Sequence, residues 1–475
     1  MHFVQRAKTD SYKQYINKCL SIVPSKPRSY CILLWHLSKK FSEWFLRVYG
    51  GERLVYIRYR DPVHAFIEVT PLENKIIDSP PFQRLRYIKQ LAFSYLVYHG
   101  AEHTRFGHSL GVMHLATKAF KSVVRKNADF LSVQKKAWYE QILRIIALTH
   151  DLGHAPFSHA SEAVFPGKLK HEDYTEKIIK ETSIAVYIRE IGKEYVQQYG
   201  PEYDITPELI CDIYNGREAG ENSEFVFLKS FIDSELDCDK MDYLLRDSLY
   251  CGVNYGKFDV ERLISCLTVY LQEDIPRLAI EGGGVQAFEE FVLARYFMFV
   301  QVYFHRTRRF FDIIFARALE KILPDGGTYP ESADEYIKWD DNKVLQLMKE
   351  RFDVADCQKI AQRLVFPVIL ESIPHPQSGD KRYFESQKKL LVNEFGVESF
   401  IEDYSADKMP HKIPMKVDIE DEKAIPIINK TLNQVSTISD ESYIILNLTE
   451  KINIERLYVA EEIREEAFAY REKIK

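Results

Sequence analysis

Apolar residues recur at helical spacing along most of the first three quarters of the chain. Runs with a period near 3.6 predict helices over His108–Val124, Trp138–His150 and Ser234–Leu249, and one long helix from Val285 to Leu323. A hairpin interrupts them: Thr268–Leu271 and Arg277–Ile280 are apolar-rich runs joined by Glu273-Asp-Ile-Pro and stopped by Gly282–Gly284. After Pro374-His-Pro376 the pattern shortens to β-like runs, Lys412–Ile419, Ala424–Ile428 and Ser442–Leu448, between charged connectors. Glu461–Lys475 reads as a charged terminal helix or tail. The expectation is a mainly α fold: a helical core with a small antiparallel hairpin and an α+β C-terminal lobe. It divides into an N-terminal extension over 1–52, a core over 53–375 and the lobe over 376–475.

Composition narrows this picture. A chain of 475 residues, 46% hydrophobic, has ample material for a large core plus additions. A net charge of −6 argues against a protein whose main task is coating nucleic acid. The one strongly basic zone is 1–52, with nine Lys/Arg against three Asp/Glu and Phe41, Trp44, Phe45 and Val48 at helical spacing. It reads either as a membrane-surface or partner-binding helix, or as an extension packed on the body. Seven widely spaced cysteines without a C-x-x-C point to a reducing, cytoplasmic setting. The apolar run Cys31–Leu37 is far shorter than the roughly 20 residues a membrane span needs, so no membrane partner is expected.

Candidate chemistry lies in three places. His108 sits in His103-Thr-Arg-Phe-Gly-His108-Ser-Leu-Gly, and His150–Asp151 in Thr149-His-Asp-Leu-Gly-His154-Ala-Pro-Phe-Ser-His159. Asp239 sits in Asp237-Cys-Asp-Lys-Met-Asp-Tyr-Leu-Leu-Arg-Asp247. Each is polar or charged among apolar helix formers, a burial that costs several kcal/mol per ion unless the group is paired or metal-bound. Two imidazoles and two carboxylates make a mixed N/O donor set suited to Mn, Fe, Zn, Ni or Mg. His150 and His154 share a helix face, and Pro156 ends that helix so that His159 approaches from the turn. Asp239, Tyr243 and Asp247 fall on one stripe of the next helix. His2, His36, His114, His375 and His411 are read as bystanders.

Together with Asp61-Pro-Val-His64, Ile77-Asp-Ser-Pro-Pro-Phe-Gln-Arg-Leu-Arg-Tyr-Ile-Lys-Gln-Leu91 and His171-Glu172, these motifs resemble the deoxynucleoside triphosphate triphosphohydrolase branch of the HD superfamily, the group of the SAM-and-HD-domain dNTPase and its bacterial homologues. The resemblance runs from about Arg58 to Asp312 and implies an HD-domain helical core. It implies hydrolysis of a dNTP to deoxynucleoside and inorganic triphosphate, with His108, His150, Asp151 and Asp239 holding a divalent transition metal (Mn, Fe, Zn or Ni) and Mg on the substrate triphosphate. Arg105 and Lys240 match phosphate contacts. His154, His159 and His171 match histidines around the α-phosphate, with His159 chosen to protonate the departing 5′ oxygen. Gln90 and Asp247 match residues that bind the 3′-hydroxyl, while Tyr243 and Tyr303 match rings that pack on the sugar and crowd its 2′ position.

On the predicted long helix, Arg295, Phe299 and Tyr303 fall at i, i+4 and i+8, and Arg295 joins the substrate contacts. Asp78, Gln83 and Arg86 match a guanine-reading activator pocket, with Asp259 and Arg262 as further allosteric positions. Two departures stand out: Phe299 replaces a histidine of the animal enzyme, and Glu281-Gly-Gly-Gly284 stands where basic phosphate contacts are expected. No SAM domain is visible in the first 52 residues. The resemblance further implies a nucleotide-controlled homotetramer, serving either precursor balance or defence against phage. Two other readings use the same residues. One is an HD phosphodiesterase or nuclease acting on cyclic nucleotides or nucleic-acid ends; the other is a non-catalytic nucleotide sensor, against which the intact four-ligand set argues.

Overall fold

The computed structural model describes residues 56–474 apart from 168, 218–223, 274, 405–410, 414–417, 420 and 422–423. The basic extension expected over 1–52, with its aromatic stripe and with His2 and His36, lies outside the described residues, as does the middle of the run Lys412–Ile419. Among the described residues no helix is long and apolar enough to cross a membrane, and Cys211, Cys238, Cys251, Cys266 and Cys357 are free thiols.

The described chain opens on a hairpin that the helical reading missed. Ile57–Asp61 (β1) and Ala65–Val69 (β2) pair antiparallel, and only alternate residues such as Ile67 and Val69 are fully buried. Asp61 shapes the turn by accepting from the amides of Val63 and His64 at 2.8 and 2.9 Å. Helix α1 (Pro71–Ile77) follows, started by a capping box between Thr70 and Glu73. The core pair comes next: α2 (Arg105–Lys126) and α3 (Val133–Thr149). Leu110, Met113, Ala116 and Phe120 of α2 and Ile142, Ile145 and Ile146 of α3 are all at most 3% exposed. Ser132 caps α3 by accepting from the Lys135 amide, so that helix begins earlier than its apolar periodicity shows.

Helices α4 (His171–Glu181) and α5 (Ser183–Tyr199) pack beyond the end of α3, and α6 (Cys238–Cys251) lies along α2. The start expected at Ser234 moves to Cys238 because the Asp237 carboxylate accepts from the Lys240 amide at 2.7 Å. The hairpin is present as β3 (Leu267–Gln272) and β4 (Ile275–Glu281).

The long helix is corrected to two. Helix α7 (Val285–Met298) ends in a π turn over Phe299–Tyr303, and α8 (Arg306–Ile322) starts afresh. The Phe304 amide reaches back five residues to the Phe299 carbonyl at 2.9 Å. His305 then caps α8 through the Thr307 amide at 3.3 Å. The apolar pattern runs on regardless because α7, the turn and α8 all bury residues in the same core.

The rest of the chain contributes α9 (Asp341–Glu350), β5 (Val368–Glu371), α10 (Ser378–Phe395), β6 (Phe400–Tyr404), β7 (Pro426–Asn429), β8 (Gln434–Thr437), β9 (Glu455–Val459) and α11 (Arg464–Ile474). Strands β5, β9 and β6 form one sheet in that order, while β7 and β8 extend the β3–β4 hairpin, β7 lying parallel to β4. Residues Ile57–Lys475 thus form one compact unit. The β-like run Ser442–Leu448 is instead a helical turn, Tyr443–Asn447, whose N-cap Ser442 accepts from the Ile445 amide at 3.0 Å. Helix α10 escaped notice because it is mostly polar and buries only Phe384, Gln387 and Leu391.

Candidate metal centre and catalytic cavity

A cavity of about 700 Å³ opens where α2, the end of α3, α6 and the π turn converge. His108 comes from the first turns of α2 and Asp239 from the first turn of α6, while His150 caps the C-terminus of α3 and Asp151 follows it. That helix thus ends ahead of His154 and Pro156, and the expected shared helix face of His150 and His154 is not formed. Ligand atoms of His108, His150 and Asp151 all lie within 4.8 Å of one another. Asp239 Oδ1 is 2.9 Å from His108 Nε2 and 3.6 Å from His150 Nε2, and Asp151 Oδ1 is 3.3 Å from His150 Nε2. His150 Nε2 is buried without a well-directed hydrogen bond.

The electrostatics match that geometry. Burial disfavours a charge on His108, yet hydrogen bonds to Asp239 and Asp242 and the charge of Asp151 raise it to about 10. Burial likewise opposes a charge on His150, but Asp151 and Asp239 raise it. Burial would lift Asp151, and the charges of Arg105, His150 and His154 hold it well below the usual carboxylate range. Asp239 is lowered in the same way, against its burial, by His108 and His150. Two carboxylates thus hold negative charge against two imidazoles in a water-poor pocket, an arrangement that fits a bound cation.

Behind the cluster stands a residue that the sequence reading passed over. Asp242 accepts from His108 Nδ1 at 2.8 Å and from His64 Nε2 at 2.6 Å, and Arg246 clamps both of its oxygens at 2.8 and 3.0 Å. Arg246 in turn reaches Asp61 Oδ2 at 3.0 Å. With Nδ1 donating to Asp242, His108 turns Nε2 to the cavity, 2.9 Å from Asp239 Oδ1, and that nitrogen would offer its lone pair to a metal that displaced its proton. Gly111 makes room: a Cβ there would lie 1.9 Å from Asp242 Oδ1. Asp242 reads in sequence as one more acid of a helix, and only the motif His64 hints at its partner.

A second cluster adjoins the first. Ligand-type atoms of His154, His159, His171 and Glu162 lie within 4.8 Å of one another. Glu162 Oε1 accepts from His159 Nδ1 at 2.7 Å and from His171 Nδ1 at 2.9 Å. His154 stacks on His171 at 4.1 Å and reaches Asp151 Oδ1 at 3.2 Å. Burial, then the charges of Arg105 and His171, push His154 well below the usual imidazole range. Burial opposes the Glu162 charge, but its two histidine hydrogen bonds lower it. Gly153 lets α4 bring His171 this close, since a Cβ there would lie 2.0 Å from the His171 carbonyl oxygen. Glu162 was not foreseen; its spacing of three from His159 was the available signal.

The remaining expected residues divide between two cavities. Gln90, Arg105, Tyr243, Asp247 and Tyr303 line the first. Arg105 donates to Asp151 Oδ2 at 2.5 Å and to Ser158 Oγ at 2.8 Å. Asp247 accepts from His103 Nε2 at 2.7 Å and from the Tyr303 hydroxyl at 2.8 Å, and Gln90 Oε1 is buried without a hydrogen-bond partner. Phe299 also lines this cavity, 5.1 Å from the Tyr303 ring. Lys240 and Arg295 line an adjoining cavity of about 380 Å³ instead, which shares Lys229 and Asp233 with the first. Lys240 Nζ donates to Asp237 Oδ2 at 2.6 Å and Arg295 pairs with Glu235 at 3.1 Å. Arg308, Arg309 and Lys229 supply cations to the main cavity that the sequence reading did not name.

Of the candidate allosteric residues, Arg86 donates to Gln83 Oε1 at 2.8 Å and Gln83 to the Ile77 carbonyl at 2.7 Å, beside Asp78 at the end of α1. Asp259 accepts from the Arg262 amide at 2.9 Å as the cap of a short helix, and Arg262 donates to the Gly283 carbonyl at 2.7 Å.

This architecture is shared. Residues 105–198 match the model of the HD domain, and residues 258–366 that of the HD associated region. The Bacillus subtilis protein YwfO is 32% identical over 424 residues, which cover 83% of this chain and 89% of that one. The human deoxynucleoside triphosphate triphosphohydrolase SAMHD1 is 29% identical over 373 residues, 70% of this chain and 58% of its own length. A hypothetical protein of known structure from Aquifex aeolicus superposes with a TM-score of 0.70 at 32% identity, covering 87% of this chain and 99% of its own. A phosphohydrolase from Bacteroides thetaiotaomicron superposes at 0.62 with 26% identity, covering 85% and 99%. The motifs of the sequence, the cluster they build and these shared lengths agree: the chain belongs to the HD-domain phosphohydrolase family.

Proposed function

We propose that the protein hydrolyses deoxynucleoside triphosphates to deoxynucleoside and inorganic triphosphate. The observation that supports this reading is a single cavity lined both by a cation-type cluster and by Gln90, Tyr243, Asp247 and Tyr303, residues suited to a sugar. His108, His150, Asp151 and Asp239 would hold a divalent metal. When bound, such an ion supplies Lewis acidity and makes water a nucleophile at neutral pH. Arg105, with Arg308, Arg309 and Lys229 at the rim, would neutralise phosphate charge. Water adds to the α-phosphorus, the bond to O5′ breaks, and the departing oxygen takes a proton from the group of His154, His159 and His171, with His159 the choice. Glu162 keeps His159 and His171 aimed at that place.

The buried carbonyl of Gln90 and the carboxylate of Asp247 would accept from a sugar hydroxyl. The ring of Tyr303, tied to Asp247 by its own hydroxyl, would leave little space for a 2′-hydroxyl, which favours deoxyribose. Lys240 and Arg295 would meet the distal phosphates from the adjoining cavity. In the same reading a nucleotide activator occupies the surface at Asp78, Gln83 and Arg86, with Asp259 and Arg262 as further allosteric positions, in a homotetramer.

The test is direct: incubate the protein with each dNTP, alone and in pairs, with Mn²⁺ or Mg²⁺, and assay inorganic triphosphate and deoxynucleoside, with ribonucleotides as controls. Triphosphate from dNTPs is expected. No triphosphate in any mixture, together with cleavage of single-stranded DNA, would overturn the proposal in favour of a nuclease.

A further inference from the structure

The HD associated region places one buried carboxylate, Asp341, against the segments that lead into Gln90 and His159. Asp341, at the start of α9, is 3% exposed and makes no ion pair among the described residues. One oxygen accepts from the Phe157 amide at 2.7 Å, and the other accepts from the Lys89 amide at 2.9 Å. Each amide stands immediately before a cavity residue or one step from it: Lys89 precedes Gln90, and Phe157-Ser158 precede His159. Burial pushes Asp341 up to about 7 although both amides oppose that shift, so it is a costly group to keep there.

What the carboxylate holds is strained. Phe157 and Ser158 are consecutive non-glycine residues with φ of 57° and 55°, a left-handed pair that persists only when its surroundings over-determine it. The Phe157 ring is locked by stacking on Phe93 at 4.4 Å and by Phe315 at 4.8 Å. Ser158 Oγ ties the same two segments a second time, donating to the Lys89 carbonyl at 2.9 Å while accepting from Arg105. Arg84 anchors the neighbourhood from the other side through the carbonyls of Trp339, Leu152 and His154, at 2.7, 3.2 and 2.8 Å.

We infer that Asp341 is a positioning residue of the catalytic cavity, clamping the His159 turn to the Gln90 segment and so setting the distance between proton donor and sugar contact. This rests on the reading of the cavity as a dNTP site. It assigns helix α9 an indirect part in active-site geometry, although that helix lines neither cavity.

Two variants test it. Asp341→Ala removes both acceptors, whereas Asp341→Asn keeps one and turns an N–H donor toward the other amide. For Asp341→Ala, kcat should fall at least about tenfold, because misplacement by a fraction of an ångström is felt in rate. The rise in KM should be smaller, and bound metal should equal that of wild type. Asp341→Asn should fall between the two. A kcat within twofold of wild type in Asp341→Ala would overturn the inference.

Backbone amide exchange supplies a readout that needs no substrate and includes the wild type. The Phe157 and Lys89 amides should be protected in wild type, and the one that faces the new N–H donor should exchange at least about tenfold faster in Asp341→Asn, while the amides of α3 stay unchanged. Unprotected amides in wild type, or equal exchange in both proteins, would overturn the clamp. Should the wild type yield no triphosphate from any dNTP, the substrate reading alone falls and the exchange result decides the clamp.

Discussion

Two histidine clusters adjoin in one cavity, linked through Asp151, and they differ in what surrounds their rings. Around His108 and His150 stand Asp151, Asp239 and, behind His108, Asp242. Around His154, His159 and His171, Glu162 is shared between two rings, Asp151 reaches His154 at 3.2 Å and Glu172 reaches His171 at 3.4 Å. The outcome is opposite in sign: His108 is raised to about 10, while burial and neighbouring positive charge depress His154. Exposure differs too, with the His108 side chain 1% exposed and that of His159 62%. An enclosed set of imidazoles held by Asp151 and Asp239 invites a cation. A set that reaches the mouth at His159 fits the proton-donor role proposed for it.

The largest effect should come from emptying the first cluster. Asp239→Ala should abolish metal retention, measured by elemental analysis, and with it lower turnover by about 10³-fold or more, the several kcal/mol that a metal contributes. Metal and turnover both kept would erase the distinction between the clusters.

A smaller effect is expected from Glu162→Gln, which loosens His159 and His171 without touching the first cluster. Turnover should drop about 10- to 100-fold, part of the range ascribed to general acid–base catalysis, with metal content as in wild type. Loss of metal in this variant would mean that the two clusters are one site.

The smallest effect concerns His114, on the same helix as His108 but without a carboxylate hydrogen bond. Burial, then His64 and Lys118, lower it to about 4. The unfolded chain takes up that proton near pH 6.5 and the folded chain only near 4, so its share of stability is present above 6.5 and lost as pH falls toward 4. His114→Gln should flatten the fall in denaturant midpoint between pH 6.5 and 5. A slope identical to wild type would assign the acid sensitivity elsewhere.

Legibility followed physical scale. Helices α2, α3 and α6 and the β3–β4 hairpin were readable because local periodicity and turn residues specify them. The break at Phe299–Tyr303 was not, since an apolar pattern reports burial and stays silent on whether a hydrogen bond reaches back four residues or five. Helix α10 and the turn Tyr443–Asn447 were misjudged for the same reason, their apolar faces being narrow or short.

The four expected metal ligands were legible as charged residues stranded among apolar ones, which local chemistry alone makes conspicuous. Tertiary packing decided the rest: that Asp242 backs His108, that Glu162 serves two histidines, and that Lys240 and Arg295 turn to a neighbouring cavity. It also decided that Asp341, some 180 residues past the His159 turn, holds that turn in place. The roles of Asp242 and Asp341 depend on hydrogen bonds between segments far apart in the chain, and no local pattern encodes a partner that distant.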